Sequence, residues 1–151
     1  MPSIDQRLDQ IKDALYRVSA KAIILRDNKI LLTQETKRWW SLPGGGIDHG
    51  ETATSTLKRE LAEEIGVSPA TILVNEHVRA AAIGEIVDGI PRVALLYEVS
   101  LKGEKIKKSE HILDYGWFSA HEVAQLYVSP TIGGKAALLK IIQEIDRSGA
   151  T

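Results

Sequence analysis

Three glutamates, Glu60, Glu63 and Glu64, follow one another at a spacing that could hold a divalent metal ion. In a helix, which turns by roughly 100° per residue, their carboxylates fall within an arc of about 100°. Like charges this close destabilise a helix, and a bound cation would relieve the repulsion. Mg²⁺ takes oxygen ligands and is usually held by one or two carboxylates together with substrate phosphates. The run therefore predicts a magnesium site, with a solvated acidic face as the alternative interpretation.

A glycine-rich stretch, PGGGIDHGE, runs directly into the segment that carries these glutamates. It lacks the glycine spacing of a dinucleotide-binding loop. Gly45 and Gly50 do have the spacing of a P-loop, but Glu51 stands where a P-loop has its lysine. Because a carboxylate there repels phosphate and attracts a cation, the loop favours a site in which a metal ion holds the phosphate.

The three glutamates need a helix to bring them together, and residues 52–65 contain no Gly or Pro that would interrupt one. Leu57, Leu61 and Ile65 recur every fourth residue and form an apolar stripe beside the carboxylates. Gly66 stands where a helix-ending glycine belongs. We therefore expect a helix that buries one face and presents the carboxylates beside it.

The segments on either side of this helix predict a mixed sheet. Apolar and β-branched runs indicate strands over residues 18–25, 30–33, 72–83, 92–101 and 114–118. Turn signals at Asp27-Asn28 and Asp88-Gly89 predict hairpins, and residues 34–50 have the composition of one long loop. Apolar spacing and capping patterns predict further helices over residues 4–16, after Ser119 and from Ser129. Because hairpins alternate with helices, we expect an α/β fold with helices covering the sheet.

The chain has 151 residues, a net charge of -1 and no cysteine. One domain over residues 1–151 is expected, with residues 1–17 as an N-terminal helical extension. Disulfides and thiolate metal sites are excluded, and the small net charge gives no field that would attract a nucleic acid polymer. The apolar stretch at residues 22–25 is too short for a signal peptide or a membrane span. We therefore expect a cytoplasmic protein without a membrane partner.

The glycine loop and the glutamate helix together carry nine residues at fixed spacing: Gly45, Glu51, Arg59, Glu60, Leu61, Glu63, Glu64, Gly66 and Val67. They resemble the signature of the Nudix hydrolase family, in which every fixed position is matched here. The resemblance implies the Nudix fold, an α/β/α sandwich with a mixed β-sheet, plus an N-terminal helix in this chain. It also implies hydrolysis of a pyrophosphate bond by attack of water on phosphorus, with Mg²⁺ as the cofactor and Mn²⁺ as a substitute.

The same resemblance implies a role for each polar residue of the signature. Glu60, Glu63 and Glu64 would bind one or more Mg²⁺ ions, with the carbonyl of Gly44 as an additional ligand. Glu51 would either support the loop or bind a second metal ion through water. The carboxylates would thus serve as ligands for the ion, and one of them could also orient or deprotonate the attacking water.

Two residues, Arg59 and Glu110, are expected to assist the carboxylates. Arg59 would position them by ion pairing. Some members of the family take their general base from a loop outside the signature, and Glu110 stands where that loop would lie, seven residues before Trp117. A surface glutamate in a charged loop is the alternative interpretation of Glu110, so the identity of the base stays open.

The signature specifies the reaction and leaves the substrate open. The expected substrate is a small nucleotide: a nucleoside di- or triphosphate, or a nucleoside diphosphate linked to another moiety. Trp39 is a candidate to stack on a base, with structural packing as the alternative, while Arg79 and Arg92 on predicted strands could reach phosphate. The helix at 4–16 could pack either on the domain itself or on a second subunit, which would form a homodimer. A non-catalytic nucleotide-binding or regulatory module of the same fold is the alternative to an enzyme.

Overall fold

The computed structural model describes residues 10, 14–37, 39–84, 89–103 and 105–147. In chain order its strands are β1 (Arg17–Ile23), β2 (Leu25–Arg26), β3 (Lys29–Thr36), β4 (Trp39–Ser41), β5 (Gly44–Gly46), β6 (Ile72–Val74), β7 (Ala80–Gly84), β8 (Arg92–Leu101) and β9 (Asp114–Phe118). Its α-helices are α1 (Ala53–Ile65), α2 (Ala120–Val123) and α3 (Gly134–Arg147).

The strands form two sheets. The first has the order β5-β1-β8-β6, and β7 also pairs with β8. Because β1 and β8 are parallel while the other pairs are antiparallel, this sheet is mixed, as the sequence predicts. The second sheet has the order β2-β3-β4 with β9 on β3, and it is antiparallel throughout. Its hairpin turns at Asp27 and Asn28, whose positive φ angles of 51° and 61° suit a tight turn.

The helices cover the sheets from two sides and create two apolar cores. The apolar stripe of α1 packs against Ala20 and Ala22, which β1 directs to one side. Helix α3 packs in a second cluster with Ile23 and Leu96 on the opposite side. This layering confirms the predicted α/β/α sandwich. Within the described residues no helix has both the length and the apolar character needed to cross a membrane.

Helix α1 begins and ends where the sequence predicts. Thr52 is its N-cap and accepts a hydrogen bond from the backbone of Ser55, while Gly66 ends it in the left-handed conformation with φ 67°. The predicted capping box of Ser119 and Glu122 is also present at the start of α2. Local side-chain patterns therefore fix the ends of both helices.

The prediction of one long loop over residues 34–50 is wrong. Strand β3 continues to Thr36, and the segment contains both β4 and β5. Strand β5 is made only of glycine, so it has no alternation of side chains that could reveal it in the sequence. It becomes a strand because it pairs with the edge of β1.

The prediction of one strand over residues 72–83 is also wrong. Strands β6 and β7 pair with different parts of β8 and are separated by residues 75–79, in which Asn75, Glu76 and His77 are exposed. This polar stretch interrupts the pairing. The antiparallel partnership of β7 and β8 is present as predicted, although residues 85–88 of its connection, including Asp88, lie outside the described residues.

The predicted terminal helices have different outcomes. The helix expected over residues 4–16 lies mostly outside the described residues, and residues 14–16 are not helical. Near the other end, Ser129 caps a short 3₁₀ turn, Pro130–Ile132. The left-handed Gly133 (φ 87°) follows this turn, so α3 starts only at Gly134. The predicted final helix is therefore present, but it begins later than Ser129 suggests.

The core beneath α1 provides a test of how firmly this helix is held. Leu61 is fully buried there, so the Leu61→Ala variant is expected to lose about 2–5 kcal/mol of unfolding free energy. Urea denaturation monitored by circular dichroism measures this loss. The same substitution at Leu73, which is 49% exposed, is expected to cost less than about 1 kcal/mol. Equal losses in the two variants would contradict the assigned core.

Candidate active site

The glycine strand β5 lies between the glutamate helix and the rest of the site. A Cβ atom at Gly45 would collide with the carboxylate of Glu60, and one at Gly44 would collide with the carbonyl oxygen of Ala20. Gly44 also has a φ of 133°, which side-chain-bearing residues rarely adopt. The strand therefore needs glycine so that α1 and β1 can both approach it closely.

Arg59 connects the loop to the carboxylates of α1. Its Nε and Nη2 donate to the two oxygens of Glu51, both at 2.8 Å, and its Nη1 donates to Glu60 at 2.8 Å. Nη1 also lies 3.6 Å from the carboxylate of Glu63, and Nη2 donates to the Gly46 carbonyl at 3.3 Å. A planar guanidinium with several donors suits such a hub. The geometry agrees with the positioning role expected of Arg59.

Glu51 is fully engaged in holding the loop. Besides its paired contact with Arg59, it accepts hydrogen bonds from the backbone of Asp48 at 3.0 Å and from the hydroxyl of Thr56 at 3.1 Å. The hydrogen bond from Arg59, followed by that from Asp48, lowers the pKa of Glu51 to about 2. Of its two expected roles, these contacts favour support of the loop.

Glu64 is the buried member of the glutamate set, with only 4% of its surface exposed. One carboxylate oxygen accepts a hydrogen bond from the Gly44 backbone at 3.3 Å. Its other oxygen is buried and has no hydrogen-bond partner within the described residues. Burial raises the pKa of Glu64 to about 8; the Lys21 ammonium opposes this rise, while the charges of Glu35 and Glu60 add to it.

The carboxylates fit the requirements of a hard divalent cation. In the described part of the chain, no group of three or more His, Cys, Asp or Glu side chains is arranged so that it could hold a metal ion as it stands. Here Arg59 holds Glu60 and lies close to Glu63. A buried carboxylate oxygen without a partner nevertheless calls for a cation or a proton, because an unsatisfied charge in the interior is costly. Glu64 supplies such an oxygen, and its neighbours supply further oxygen donors, which are the ligands Mg²⁺ prefers.

A cavity of about 470 Å³ opens beside these groups. Glu60 lines it from α1, although Arg17, Ser19 and Lys21 line it from the face of β1 that points away from α1. The glycine strand makes this possible, because a side chain at Gly45 would collide with the carboxylate of Glu60. The cavity lining therefore combines two carboxylates, Glu35 and Glu60, with the cations Arg17, Lys21 and Arg92.

The aromatic residues before the glycine loop have separate positions. Trp39 lines the cavity, and its ring lies 6.5 Å from that of Tyr127. Trp40 packs edge-on against Phe118, 4.9 Å between ring centroids, beside the core under α3. Only Trp39 is therefore placed to meet a ligand.

Of the predicted site residues outside the signature, Arg79 and Glu110 do not line the cavity; within the signature Glu51, Arg59, Glu63 and Glu64 do not line it either. Arg79 forms ion pairs with Glu144 at 3.2 Å and Glu98 at 3.8 Å, whereas Arg92 lines the cavity. Glu110 is exposed and does not line the cavity, although the neighbouring Ser109 donates its backbone N–H to the carbonyl at Glu64. Arg92 is thus better placed than Arg79 to contact phosphate, and the role of Glu110 stays a prediction.

Sequence reasoning missed Lys21. This residue is 9% exposed, lines the cavity and donates a hydrogen bond from its ammonium to the Gly44 carbonyl at 3.3 Å. The sequence did contain a signal for Lys21, because it is the one charged residue in the run VSAKAIIL, in which all the other residues except Ser19 are apolar. A buried charge in such a run often marks a functional site.

A family model described as the NUDIX domain matches residues 15–136. The chain belongs to the Nudix family. The uncharacterised Nudix hydrolase YvcI of Bacillus subtilis is 27% identical over 125 residues, which are 79% of this chain and 75% of that relative. The fold agrees with the MutT protein of Methanosarcina mazei Go1, at a TM-score of 0.69 and 18% identity, covering 92% of this chain and 99% of that one.

A shorter match comes from a second Nudix relative. The RNA pyrophosphohydrolase of Orientia tsutsugamushi (strain Boryong) is 30% identical over 74 residues, which cover 46% of each chain. The chain therefore spans about half the length of this curated relative. Membership of the Nudix family rests on the longer match of the family model.

Proposed function

We propose that the protein is a metal-dependent Nudix pyrophosphohydrolase. It cleaves a nucleoside di- or triphosphate, or a nucleoside diphosphate linked to another moiety, by attack of water on phosphorus. The observation that carries the proposal is Glu64: its carboxylate is buried with one oxygen unpartnered within the described residues, and it binds Gly44, which lines the same cavity as Glu60. Membership of the Nudix family supports the same reaction.

Glu60, Glu63, Glu64 and the carbonyl of Gly44 would hold the metal ion. Mg²⁺ is the proposed ion, with Mn²⁺ as a substitute, because both prefer oxygen donors. When bound, such an ion polarises a phosphoryl oxygen and makes bound water more acidic. Arg59 keeps Glu60 in place by donating a hydrogen bond to one of its oxygens at 2.8 Å.

The cations that line the cavity would bind the phosphates. Arg17, Lys21 and Arg92 all line the cavity, and fixed positive charge aimed at developing negative charge lowers the barrier of phosphoryl transfer. Trp39, beside Tyr127, offers an aromatic surface on which a base can stack. A small nucleotide is therefore the proposed substrate class, and the name of the Orientia relative makes an RNA 5′-triphosphate end worth including in a test.

The general base is proposed to be either a glutamate of α1 or Glu110. Glu63 is 46% exposed at its side chain, where water can reach it, and lies 3.6 Å from Arg59. Glu110 follows Ser109, whose backbone N–H donates to the carbonyl of Glu64, so the loop of Glu110 is attached close to the end of α1. A cytoplasmic location and a homodimer are proposed on the sequence alone.

The function is tested by incubating the protein and its Glu63→Gln variant with Mg²⁺ and a broad panel of nucleotides. Released phosphate, pyrophosphate or mononucleotide identifies the substrate, and ¹⁸O-labelled water identifies the phosphorus that is attacked. Glu63→Gln is expected to reduce turnover by about a hundredfold, because a neutral amide is a poor ligand and a poor base.

Two outcomes would redirect the proposal. Tight nucleotide binding in calorimetry without turnover of any substrate would favour a binding or regulatory module. Full turnover by Glu63→Gln would remove Glu63 from the metal ligands and from the candidates for the base. Glu76→Gln, at an exposed loop position, is the matched control and is expected to keep full activity.

A further inference from the structure

Lys21 is a buried cation whose one hydrogen-bond partner within the described residues is a neutral carbonyl. Its side chain extends from β1 into the cavity, and only 9% of the residue is exposed. Within the described residues its ammonium makes one hydrogen bond, to the carbonyl of Gly44 at 3.3 Å. An ammonium has three donors, and burial of a charge is costly unless it is well paired. Two of the donors are thus available to a further acceptor in the cavity.

The backbone of Gly44 is held at both its N–H and its carbonyl. Its N–H donates to Glu64 at 3.3 Å, while its carbonyl accepts from Lys21. Gly44 also lies so close to the backbone of Ala20 that a Cβ atom would not fit between them, which limits how far Gly44 can shift. Gly44 therefore connects the carboxylate of Glu64 to Lys21, whose positive charge lies 3.3 Å from the Gly44 carbonyl oxygen.

We propose that, before a metal ion binds, the Lys21 ammonium takes the place beside the Gly44 carbonyl that the ion would occupy. Once the ion binds, Lys21 turns to a substrate phosphate in the same cavity. The inference rests on the proposed function, since it uses the same carbonyl and carboxylates. It adds that the metal and Lys21 compete for one oxygen, and that metal binding releases a phosphate-binding cation. Lysine suits this exchange, because its charge sits at the end of a flexible four-carbon stem.

The direction of the competition follows from charge. The ammonium attracts the Glu64 carboxylate and so helps to keep a ligand ionised, but it repels a divalent ion. The ion carries twice the charge of the carboxylate, so at similar distances repulsion of the ion outweighs attraction of the ligand. Removing the charge of Lys21 is therefore expected to strengthen metal binding in the absence of substrate.

The first test measures Mn²⁺ affinity by the electron paramagnetic resonance signal of free Mn²⁺, without nucleotide and at constant pH. Lys21→Met is expected to bind Mn²⁺ about three- to tenfold more tightly than the unaltered protein, because one nearby positive charge is lost. Lys21→Gln is expected to change affinity in the same direction and serves if the methionine variant does not fold. Lys29→Met is the matched control, because Lys29 is exposed at the start of β3, where its charge acts on Glu122.

The second test measures binding of α,β-methylene ATP by calorimetry at saturating Mn²⁺. Here Lys21→Met is expected to weaken binding by about tenfold, and Lys29→Met to leave it unchanged. Unchanged or weaker Mn²⁺ affinity in both neutral Lys21 variants would overturn the competition, and unchanged analogue affinity would overturn the phosphate contact. The proposed hydrolase would stand in either case. If even the unaltered protein bound no Mn²⁺, both the metal-dependent function and this inference would fall.

Discussion

The Glu60→Gln variant is expected to hydrolyse its substrate about a thousandfold more slowly than the unaltered protein, because the reaction depends on charge at this position. Glu60 lines the cavity and is held by Arg59 at 2.8 Å. Glutamine keeps the shape of the side chain and a hydrogen-bond acceptor for Arg59, but it removes the negative charge that attracts a metal ion. The measurement is kcat at saturating Mg²⁺ and saturating substrate, so that weaker binding alone does not explain the loss.

The comparison for Glu60→Gln needs a variant with the same chemical change elsewhere. Glu76→Gln removes one carboxylate from an exposed loop between β6 and β7 and is expected to retain full kcat. Thermal unfolding of both variants shows that neither loses the fold. If Glu60→Gln retained more than about a tenth of the activity, Glu60 would not be an essential ligand, and the assigned carboxylate set would be wrong.

The second large effect is on stability, which is expected to fall in EDTA as the pH rises from about 4.5 to about 8. Burial raises the pKa of Glu64 from 4.5 to about 8 in the folded chain. A carboxyl group with a raised pKa binds its proton more tightly in the folded chain than in the unfolded chain. Its contribution is therefore fully present below pH 4.5 and is lost as the pH passes through 8. The whole change is on the order of 5 kcal/mol.

Urea unfolding at pH 5 and pH 8, in EDTA, measures this dependence. Glu64→Gln cannot ionise, so it is expected to lose most of the difference between the two pH values, and Glu76→Gln is expected to retain it. Mg²⁺ added at pH 8 should restore stability to the unaltered protein, because a ligand that binds only the folded state stabilises it. The same pH dependence in Glu64→Gln would show that another group is responsible.

The sequence is most informative where local chemistry decides the structure. Helix α1 is specified by its apolar stripe and by Gly66, and the hairpin at Asp27 and Asn28 by residues that tolerate positive φ. The carboxylates that α1 presents were therefore predictable, together with the family to which they point. These features depend on residues close together in the chain.

Features that depend on distant contacts could not be predicted in the same way. Glu63 and Glu64 are neighbours in the sequence and share one arc of α1, yet one is exposed and the other is 4% exposed. The difference arises because β5 passes beside the helix at Gly44, twenty residues away in the chain. Lys21 likewise joins the site only through the pairing of β1 with β5.

The glycine strand has a consequence for how this protein can change its preference for substrates. The carboxylates are carried by α1, whereas Trp39 and Arg92 lie on β4 and β8, although both line the same cavity as Glu60. Mutations around Trp39 and Arg92 can therefore remodel ligand selectivity while the hydrolytic apparatus stays intact. A directed-evolution library limited to the residues around Trp39 and Arg92 is the rational starting point for altering which nucleotide is accepted.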